Sequence, residues 1–158
     1  MTMDGTDMDM DIACHDGAAV VAVARRWIGT PYVHQQSVRG AGCDCLGLLR
    51  GIWRELNGPE PERPPAYTPF WAEETGRETM LEAAERHLVA RPAAAEIRAG
   101  DVLLFRYRRH LPARHAAVAT GPDTMIHAMA GAGVVETTVG PWWRRRLAGI
   151  YAIPMTEG

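Results

Sequence analysis

Apolar residues recur at helical spacing along the first half of the chain. The first stripe begins after Gly17 and is formed by Val20, Val23, Ala24, Trp27 and Ile28. Gly29-Thr30-Pro31 ends this helix, because glycine and proline interrupt helical backbone. A second stripe is formed by Leu48, Leu49, Ile52, Trp53 and Leu56. It predicts a helix over residues 45–56, with Asp44 as its N-cap and Asn57-Gly58-Pro59 as its end.

The hydrophobic pattern changes after Gly100, from helical spacing to short apolar segments. A third helical pattern covers residues 73–89 and ends near Pro92. After Gly100, short apolar segments separated by glycine and proline predict strands. These segments are residues 101–105, 115–120, 124–128, 134–139 and 149–154. Helices first and strands second indicate an α+β domain, with helices packed on an antiparallel sheet.

Two segments fall outside this pattern. Residues 59–70 contain five prolines and are predicted to form an extended loop. Residues 1–16 contain five aspartates, no basic residue and no apolar period, which is typical of a disordered acidic leader. We therefore expect one folded domain over residues 17–158, a length that suits a single hydrophobic core.

Composition narrows the class of protein. The leader holds five of the 19 acidic residues and none of the 17 basic ones, so the remainder is weakly basic. A duplex-DNA binder would carry a concentrated basic face, whereas this weak charge permits an anionic polymer as substrate. No run reaches the roughly 20 apolar residues of a membrane span, and the N-terminus lacks the pattern of a secretory signal. We expect a soluble product of the cytoplasm, with no nucleic-acid partner and no membrane insertion.

The candidate chemistry concentrates at Cys45, one of three cysteines in the chain. Without an export signal a disulfide framework is not expected, so at least one cysteine is a candidate reactive thiol. Cys45 falls in the first turn of the second predicted helix, where the macrodipole favours a thiolate. Gly47 would keep the approach to the sulfur open. The alternative is that Cys45 is a small buried apolar residue, as free cysteines commonly are.

His115 and His127 lie on two predicted strands joined by the turn Gly121-Pro122-Asp123. A three-residue hairpin loop would pair Ala117 with His127 and place His115 on the same face, at the diagonal position. A base that is oriented by a second group and set against a helix-N-terminal thiol is a triad arrangement. The alternative is two unrelated surface histidines.

A zinc site is a further alternative, formed by Cys43, Cys45 and the two histidines. The spacing argues against it, because structural zinc sites usually separate paired cysteines by roughly two to four residues and only Asp44 lies between these two. Cys43 is otherwise interpreted as a packing residue in a turn. A redox partnership with Cys45 is the other interpretation.

Several ordered motifs resemble the NlpC/P60 family of bacterial cell-wall cysteine peptidases. They are Gly29-Thr30-Pro31-Tyr32, Gly42-Cys43-Asp44-Cys45-Leu46-Gly47-Leu48, Gly100-Asp101-Val102-Leu103-Leu104-Phe105, His115-Ala116-Ala117-Val118 and Met125-Ile126-His127-Ala128. The resemblance covers about residues 17–152, and five motifs in order are far more specific than any one. Four segments are most similar to members encoded in phage and gene-transfer-agent tail modules: Gly29-Thr30-Pro31-Tyr32, Cys43-Asp44-Cys45-Leu46-Gly47-Leu48, Pro65-Ala66-Tyr67 and Pro141-Trp142-Trp143-Arg144-Arg145-Arg146.

The resemblance implies a papain-like cysteine peptidase fold and a role for five residues. Cys45 is the nucleophile, His115 the general base and His127 the polar residue that orients it. Tyr32 matches a tyrosine whose hydroxyl lies near the oxyanion, and Asp44 matches a position that binds the substrate amine in some members. The implied reaction is amide hydrolysis through a thioester, with no metal and no organic cofactor.

The implied substrate is the peptidoglycan stem peptide, cut between the γ-D-glutamyl residue and the diamino acid. Two departures from the family pattern alter the substrate cleft: His34-Gln35-Gln36 replaces a Trp-Gly-Gly, and Leu46 replaces the serine after the nucleophile. Loss of that hydroxyl removes one acceptor for a substrate ammonium. We therefore expect glycan-linked stems to be cleaved at least as well as free tetrapeptide.

Other functions remain open on the same fold. An acyltransferase or amidase would use the same thioester chemistry, and an apolar tunnel in place of a polar cleft would favour it. A non-catalytic tail component is the other alternative, although the intact set of Cys45, His115 and His127 argues against it. As a tail enzyme the protein would act on the cell wall beside other tail or baseplate proteins. The segment Trp142–Arg146 could contact an anionic polymer or form a solvated basic turn.

Overall fold

Six antiparallel strands form the central sheet in a computed structural model that describes residues 12–62, 76–92 and 94–156. The helices are α1 (Gly17–Arg25), α2 (Cys45–Asn57), α3 (Thr79–His87) and α4 (Pro141–Arg144). The strands are β1 (Ser37–Val38), β2 (Gly42–Cys43), β3 (Val89–Arg91), β4 (Val102–Phe105), β5 (His115–Ala119), β6 (Thr124–Met129), β7 (Gly133–Thr138) and β8 (Leu147–Ala152). The order across the sheet is β3-β8-β4-β5-β6-β7, and β1 and β2 form a separate hairpin. This architecture confirms the α+β class.

The two faces of the sheet bury different sets of side chains. Leu104 and Val118 pack in one cluster with the apolar faces of α1, α2 and α3. Phe105 and Ala117, one residue along the same strands, pack in a second cluster with Trp143. This is the alternation that a pleated strand imposes. Within the described residues, no helix is long and apolar enough to cross a bilayer.

Helix α2 spans the residues that its apolar stripe predicts. Leu48 and Ile52 are fully buried, the Asp44 carboxylate caps the first turn, and Gly58 follows the last residue with a φ of 90°. A left-handed backbone at a helix end favours glycine. The helix packs against α1 and β5, so its first residue, Cys45, lies beside the strand that begins with His115.

Helix α1 is shorter than its pattern predicts. It ends at Arg25, and a turn follows over residues 26–29. Trp27 is still buried, whereas Ile28 is 43% exposed, so its assignment to the apolar stripe was wrong. The turn departs from helical rotation, and Ile28 therefore no longer lies on the face that carries Val20 and Val23.

Residues 73–89, predicted as one helix, contain α3 and the start of β3. Residues 73–75 lie outside the described part, and the helix begins only at Thr79. Val89 is not helical, because it pairs with Ala152 of β8. This pairing satisfies backbone groups that β8 would otherwise expose. Of the predicted loop over residues 59–70, only residues 59–62 are described, and they form neither helix nor strand.

The last residues of the predicted leader are hydrogen-bonded to the folded domain. The His15 N–H donates to the Ile153 carbonyl at 2.9 Å, and the Met155 N–H donates to the Ala13 carbonyl at 2.8 Å. The His15 imidazole also contacts the Asn57 side-chain oxygen at 2.7 Å. Backbone pairing of this kind needs no apolar period, so the sequence carries no signal of it. The rest of the predicted leader, residues 1–11, lies outside the described residues.

Gly51 of α2 packs directly against the indole of Trp27. A Cβ at this position would lie 2.0 Å from the ring, so Gly51→Ala forces α2 away from the turn after α1 that carries Trp27. We expect it to lower the free energy of unfolding by roughly 1–3 kcal/mol, despite the better helix propensity of alanine. Urea denaturation followed by circular dichroism measures the change. Gly121→Ala is the matched control, since its Cβ would meet only the Thr124 hydroxyl at 3.8 Å. Equal losses in the two variants would contradict the prediction.

Candidate active site

Cys45 is the first residue of α2 and is held in place by the buried Asp44 carboxylate. One Asp44 oxygen accepts a hydrogen bond from the Gly47 N–H at 2.7 Å, and the other accepts from the Gln35 N–H at 2.8 Å. The first bond caps the helix, as the sequence predicts. The second ties the turn before β1 to the same side chain. The start of α2 is therefore fixed relative to this turn.

The turn that carries Gln35 packs closely on the helix. Gln35 has a φ of 67°, a left-handed conformation that residues other than glycine rarely adopt. A Cβ on Gly47 would lie 1.9 Å from the Gln36 carbonyl oxygen. Gly47 is therefore required by the approach of the turn to the helix. The interpretation that Gly47 also keeps the approach to the sulfur open stays a prediction.

The Cys45 thiol faces the backbone of β5. Its S–H donates to the Arg114 carbonyl at 3.6 Å, and the N–H groups of Ala116 and Leu46 lower the pKa of the thiol. The sulfur thus contacts the chain on both sides of His115. Burial, followed by the Asp44 charge, outweighs those N–H groups and raises the pKa of Cys45 to about 12. Burial thus opposes the thiolate that the helix end favours, and the reactivity of Cys45 stays a prediction.

His115 and His127 meet as the hairpin register predicts. Strands β5 and β6 pair Val118 with Ile126, which sets Ala117 opposite His127 and His115 on the diagonal. The His115 Nε2 and His127 Nδ1 atoms are 2.9 Å apart, and the two rings meet edge to face at 73°. The His127 Nε2 then bonds to the Thr137 hydroxyl at 2.8 Å. We call these three residues the histidine chain.

Both imidazoles are buried and neutral. His115 is 3% exposed and His127 is 1% exposed. Burial, with smaller contributions from His127 and Arg114, lowers the pKa of His115 to about 3. Burial lowers the pKa of His127 to about 4. These shifts favour the neutral forms of the two imidazoles and of the Cys45 thiol near pH 7.

An aromatic wall covers the histidine chain. The Trp143 ring stacks on His115 with centroids 5.0 Å apart and meets His127 edge to face at 5.4 Å. Tyr107 also stacks on His115, with 5.9 Å between the centroids of the two rings. Of the segment Trp142–Arg146, Trp143 thus packs against the site, whereas Trp142 is 43% exposed and lies under the Arg146 guanidinium at 3.8 Å.

Tyr32 and Arg114 complete the surroundings of the thiol. Burial and the charges of Cys45 and Asp44 raise the pKa of Tyr32 to about 12, so the phenol lies within electrostatic range of the sulfur. Arg114 places its guanidinium 4.7 Å from the centroid of the Tyr107 ring. Its positive charge lowers the pKa values of Tyr32, Cys45 and Tyr107. The structure therefore gathers Tyr32, Asp44, Cys45, His115 and His127 at one place, as the resemblance implies.

Sequence reasoning missed Tyr107, Arg114 and Thr137, and it singled out the segment of Trp143 without placing it beside the histidines. The strand register could have identified Thr137. It is two residues after Val135, which pairs with His127, and residues two apart lie on the same face of a strand. Tyr107 and Arg114 lie outside the regular elements, and Trp143 lies in the four-residue helix α4. No period constrains such positions, so only the folded chain brings them to the histidines.

Cys43 takes no part in this arrangement. It is fully buried in β2, and its backbone bonds to Pro31 and Val33. Burial raises the pKa of the Cys43 thiol to about 12. These contacts support the packing interpretation. Across residues 12–62, 76–92 and 94–156, no three His, Cys, Asp or Glu side chains are grouped to hold a metal ion.

A thiol at a helix N-terminus, packed against a sheet that supplies the imidazoles, defines the papain-like class of domain. The model of the NlpC/P60 family matches residues 29–152, and the chain belongs to this family.

Two curated relatives cover similar parts of the chain. A protein named "Probable endopeptidase NlpC homolog" from Haemophilus influenzae is 25% identical over 128 residues, which are 80% of this chain and 57% of that protein. The Murein DD-endopeptidase MepS/Murein LD-carboxypeptidase of Escherichia coli K12 is 26% identical over 121 residues, 76% of this chain and 54% of that protein. The chain spans about half the length of the curated relatives it matches.

Solved structures share the fold. The NlpC/p60 domain of the peptidoglycan hydrolase SagA has a TM-score of 0.58 and 26% identity, covering 88% of this chain and 100% of that chain. NlpC1 from Trichomonas vaginalis has a TM-score of 0.61 and 18% identity, covering 96% of this chain and 45% of that chain. The second likeness is one of fold alone. Together these structures confirm the papain-like α+β architecture.

Because the Cys45 thiol is neutral, its reactivity depends on a base. We expect iodoacetamide at pH 7 to modify Cys45 before Cys43 and Cys14, with His115 taking the proton. Peptide mapping by mass spectrometry identifies the modified thiol. His115→Gln should slow labelling of Cys45 and leave labelling of Cys14 unchanged, which makes Cys14 the internal control. Earlier modification of Cys43 or Cys14 would rule out Cys45 as the reactive thiol.

Burial of two neutral histidines makes the fold sensitive to acid. Below the ordinary histidine pKa of about 6.5, the unfolded chain binds protons that the folded chain excludes. Stability is therefore full above pH 6.5 and falls as the pH drops toward the folded pKa values of about 4 and about 3. The slope is at most about 1.4 kcal/mol per pH unit for each histidine.

We expect His127→Gln to flatten this pH dependence between pH 6.5 and 4, measured by urea denaturation at several pH values. His110→Gln, at an exposed position, serves as the control and should leave the slope unchanged. An identical slope in His127→Gln and the unmodified protein would show that His127 is not buried in its neutral form.

Proposed function

We propose that the chain is a peptidoglycan endopeptidase that hydrolyses stem-peptide amide bonds through a thioester on Cys45. The observation that carries the proposal is the contact of this helix-N-terminal thiol with the backbone on both sides of His115. His115 is in turn bonded to His127. Family membership supports this function, as do relatives named as an endopeptidase homolog and a murein DD-endopeptidase.

The hydrogen bonds of the histidine chain indicate which ring nitrogens of His115 and His127 carry a proton. The His115 Nε2 is bonded to His127, so the His115 Nδ1 is the nitrogen left to take the thiol proton. With hydrogen on its Nε2, His115 donates to the His127 Nδ1, and the His127 Nε2–H donates to the Thr137 hydroxyl. His127 and Thr137 thereby hold the base in one tautomer and one orientation.

Acylation starts from the neutral thiol and imidazole. As the sulfur attacks the scissile carbonyl carbon, its proton moves to His115 and the carbonyl oxygen becomes an oxyanion. The backbone N–H of Cys45 and the Tyr32 hydroxyl stabilise this charge. His115 then protonates the leaving amine, and a thioester remains on Cys45. Water, deprotonated by His115, hydrolyses the thioester and restores the thiol.

We place the cut between the γ-D-glutamyl residue and the diamino acid, in stems that are still attached to glycan. Both Asp44 oxygens already accept backbone N–H groups, and Leu46 lines an apolar cavity with Leu49 and Trp53. A substrate ammonium would therefore compete with the helix cap for Asp44 and find no hydroxyl at position 46. This supports a preference for stems whose amine is blocked by attachment.

We further propose that the enzyme acts from a phage-like or gene-transfer-agent tail, beside other tail or baseplate proteins. This rests on the motifs that resemble the tail-encoded subgroup, of which Pro65-Ala66-Tyr67 lies outside the described residues. A tail enzyme meets cross-linked wall from outside the cell. Acceptance of glycan-linked stems suits that position.

An acyltransferase or amidase is the second candidate. An apolar cavity of about 220 Å³ begins beside Leu46 and continues past Trp53 to Met80. Its sheet wall is formed by Val102 and Leu104, on the face that carries the helices. The histidine rings belong to the opposite face, with Trp143. Among the described residues, the lining of this cavity includes neither Cys45 nor His115, and this favours the peptidase.

We expect His115→Ala to lower kcat/KM for stem-peptide cleavage by roughly 10²- to 10⁴-fold, the contribution of a general base. His127→Gln should retain more activity, because a glutamine amide can still accept from His115 and donate to Thr137. Exposed His110→Ala is the control. Turnover of His115→Ala close to that of the unmodified protein would rule out His115 as the general base, whereas no turnover by either protein would favour the non-catalytic tail component.

Digestion of purified sacculi tests the proposed bond. We expect the protein to release muropeptides cut after the γ-D-glutamyl residue, identified by mass spectrometry, and Cys45→Ala to release none. Glycan-linked stems should be cleaved at least as fast as free tetrapeptide. Activity confined to peptides with an unblocked L-Ala amine would refute the preference while leaving the reaction class intact.

A further inference from the structure

Trp142 is the exposed end of a run of aromatic rings that begins at His115. The Trp143 ring stacks on His115 with centroids 5.0 Å apart, and the Trp142 ring meets Trp143 edge to face at 4.8 Å. Tyr107 contacts both ends of this run, since its ring centroid is 5.9 Å from that of His115 and 6.2 Å from that of Trp142. Two ring contacts therefore connect the base to a tryptophan that is 43% exposed.

Two arginines hold Trp142 in place. Arg144 donates to the Pro122 carbonyl at 2.8 Å, which ties α4 to the turn before β6. Arg146 donates to the Tyr107 carbonyl at 3.2 Å and to the Trp142 carbonyl at 2.9 Å. Its guanidinium lies 3.8 Å from the centroid of the Trp142 ring. The indole is thus positioned before any ligand binds, and this reduces the entropy that binding costs.

The proposed reaction places the leaving half of the substrate on the same side of the site. The carbonyl oxygen meets the Cys45 N–H and the Tyr32 hydroxyl, and the scissile nitrogen must reach His115 to be protonated. The acyl half therefore extends away from His115, and the diamino acid extends past it. Trp143 flanks His115 there, so the chain beyond the scissile nitrogen runs along this ring toward Trp142.

The leaving half suits an aromatic surface that adjoins positive charge. Its diamino acid has a largely aliphatic side chain, and the next residue of a tetrapeptide stem ends in a carboxylate. Aromatic rings bury a large apolar area against such aliphatic groups. Arg108 and Arg109 are exposed in the loop before β5, and Arg145 is exposed at the end of α4. None of these three forms an ion pair with another described residue, so their charges attract an anionic chain end.

We propose that Trp142 forms the outer end of a leaving-side subsite, which binds the diamino acid and the residue that follows it. This inference rests on the proposed function and adds to it a preference for stems that continue beyond the diamino acid. Trp142 is thus a specificity-determining residue. It acts on acylation alone, because the leaving half departs when the thioester forms.

Two substrates with the same acyl half test this assignment. One is the N-acylated tetrapeptide, and the other is N-acylated L-Ala-γ-D-Glu as its γ-methyl thioester, whose leaving group is too small to reach Trp142. We expect Trp142→Ala to lower kcat/KM for the tetrapeptide by roughly 3- to 10-fold, the range for one lost aromatic contact, and to leave the methyl thioester unchanged. Trp142→Phe should retain part of the tetrapeptide rate. Met155→Ala, at a position that is 54% exposed in another part of the chain, is the control and should change neither value.

Binding gives a second readout without turnover. Calorimetric titration of Cys45→Ala with the tetrapeptide should give a Kd that rises by a similar factor when Trp142→Ala is added. Titration with N-acylated L-Ala-γ-D-Glu, which lacks the leaving half, should give the same Kd in both variants. An unchanged Kd for the tetrapeptide would overturn the inference.

The methyl thioester separates binding of the leaving half from any effect on the base, because both substrates form the same thioester on Cys45. Equal losses on the two substrates would show that Trp142 acts on His115 through Trp143, and would overturn the inference. So would unchanged rates on both substrates, or a loss confined to glycan-linked stems, which would assign the indole to the glycan. In these cases cleavage by the unmodified protein leaves the proposed function standing. Cleavage of neither substrate, with no release from sacculi, would overturn the proposed function and the inference together.

Discussion

Capping of α2 by the Asp44 carboxylate is the interaction on which the site depends. It fixes the start of the helix through Gly47 and ties the Gln35 turn to it. The same negative charge raises the pKa values of Cys45 and Tyr32. One group therefore positions the nucleophile and opposes its ionisation. The cap thus fixes the position of Cys45 although its charge disfavours the thiolate, so ionisation of the thiol requires a base.

The buried histidine chain contains His115, the residue predicted to act as this base. A preformed thiolate–imidazolium pair would have to be buried as two charges, which costs several kcal/mol per ion before their attraction compensates. A neutral thiol beside a neutral imidazole avoids this cost in the resting protein. Trp143 stacks on His115 and meets His127 edge to face, so both imidazoles are shielded from water on this side.

Sequence patterns predicted the parts of the site that belong to regular elements. Helix α2 and its cap followed from an apolar stripe, and the contact of His115 with His127 followed from strand register. Trp143, Tyr107 and Arg114 could not be predicted, because they lie in or beside a short helix and a loop that carry no period. The pairing of residues 13–15 with the end of β8 depends on backbone hydrogen bonds, and these are independent of side-chain pattern.

The contact between Trp27 and Gly51 limits the rigid-body freedom of α2. A helix on a sheet has two soft displacements, sliding along its axis and rolling about it. The indole fills the notch at Gly51, so sliding would drive it into the side chains of the neighbouring turns and rolling would drive it into Leu48 or Ile52. Gly51 is roughly 9 Å along the axis from Cys45. The position of Cys45 along the helix axis thus depends also on a steric contact between α2 and the turn that follows α1.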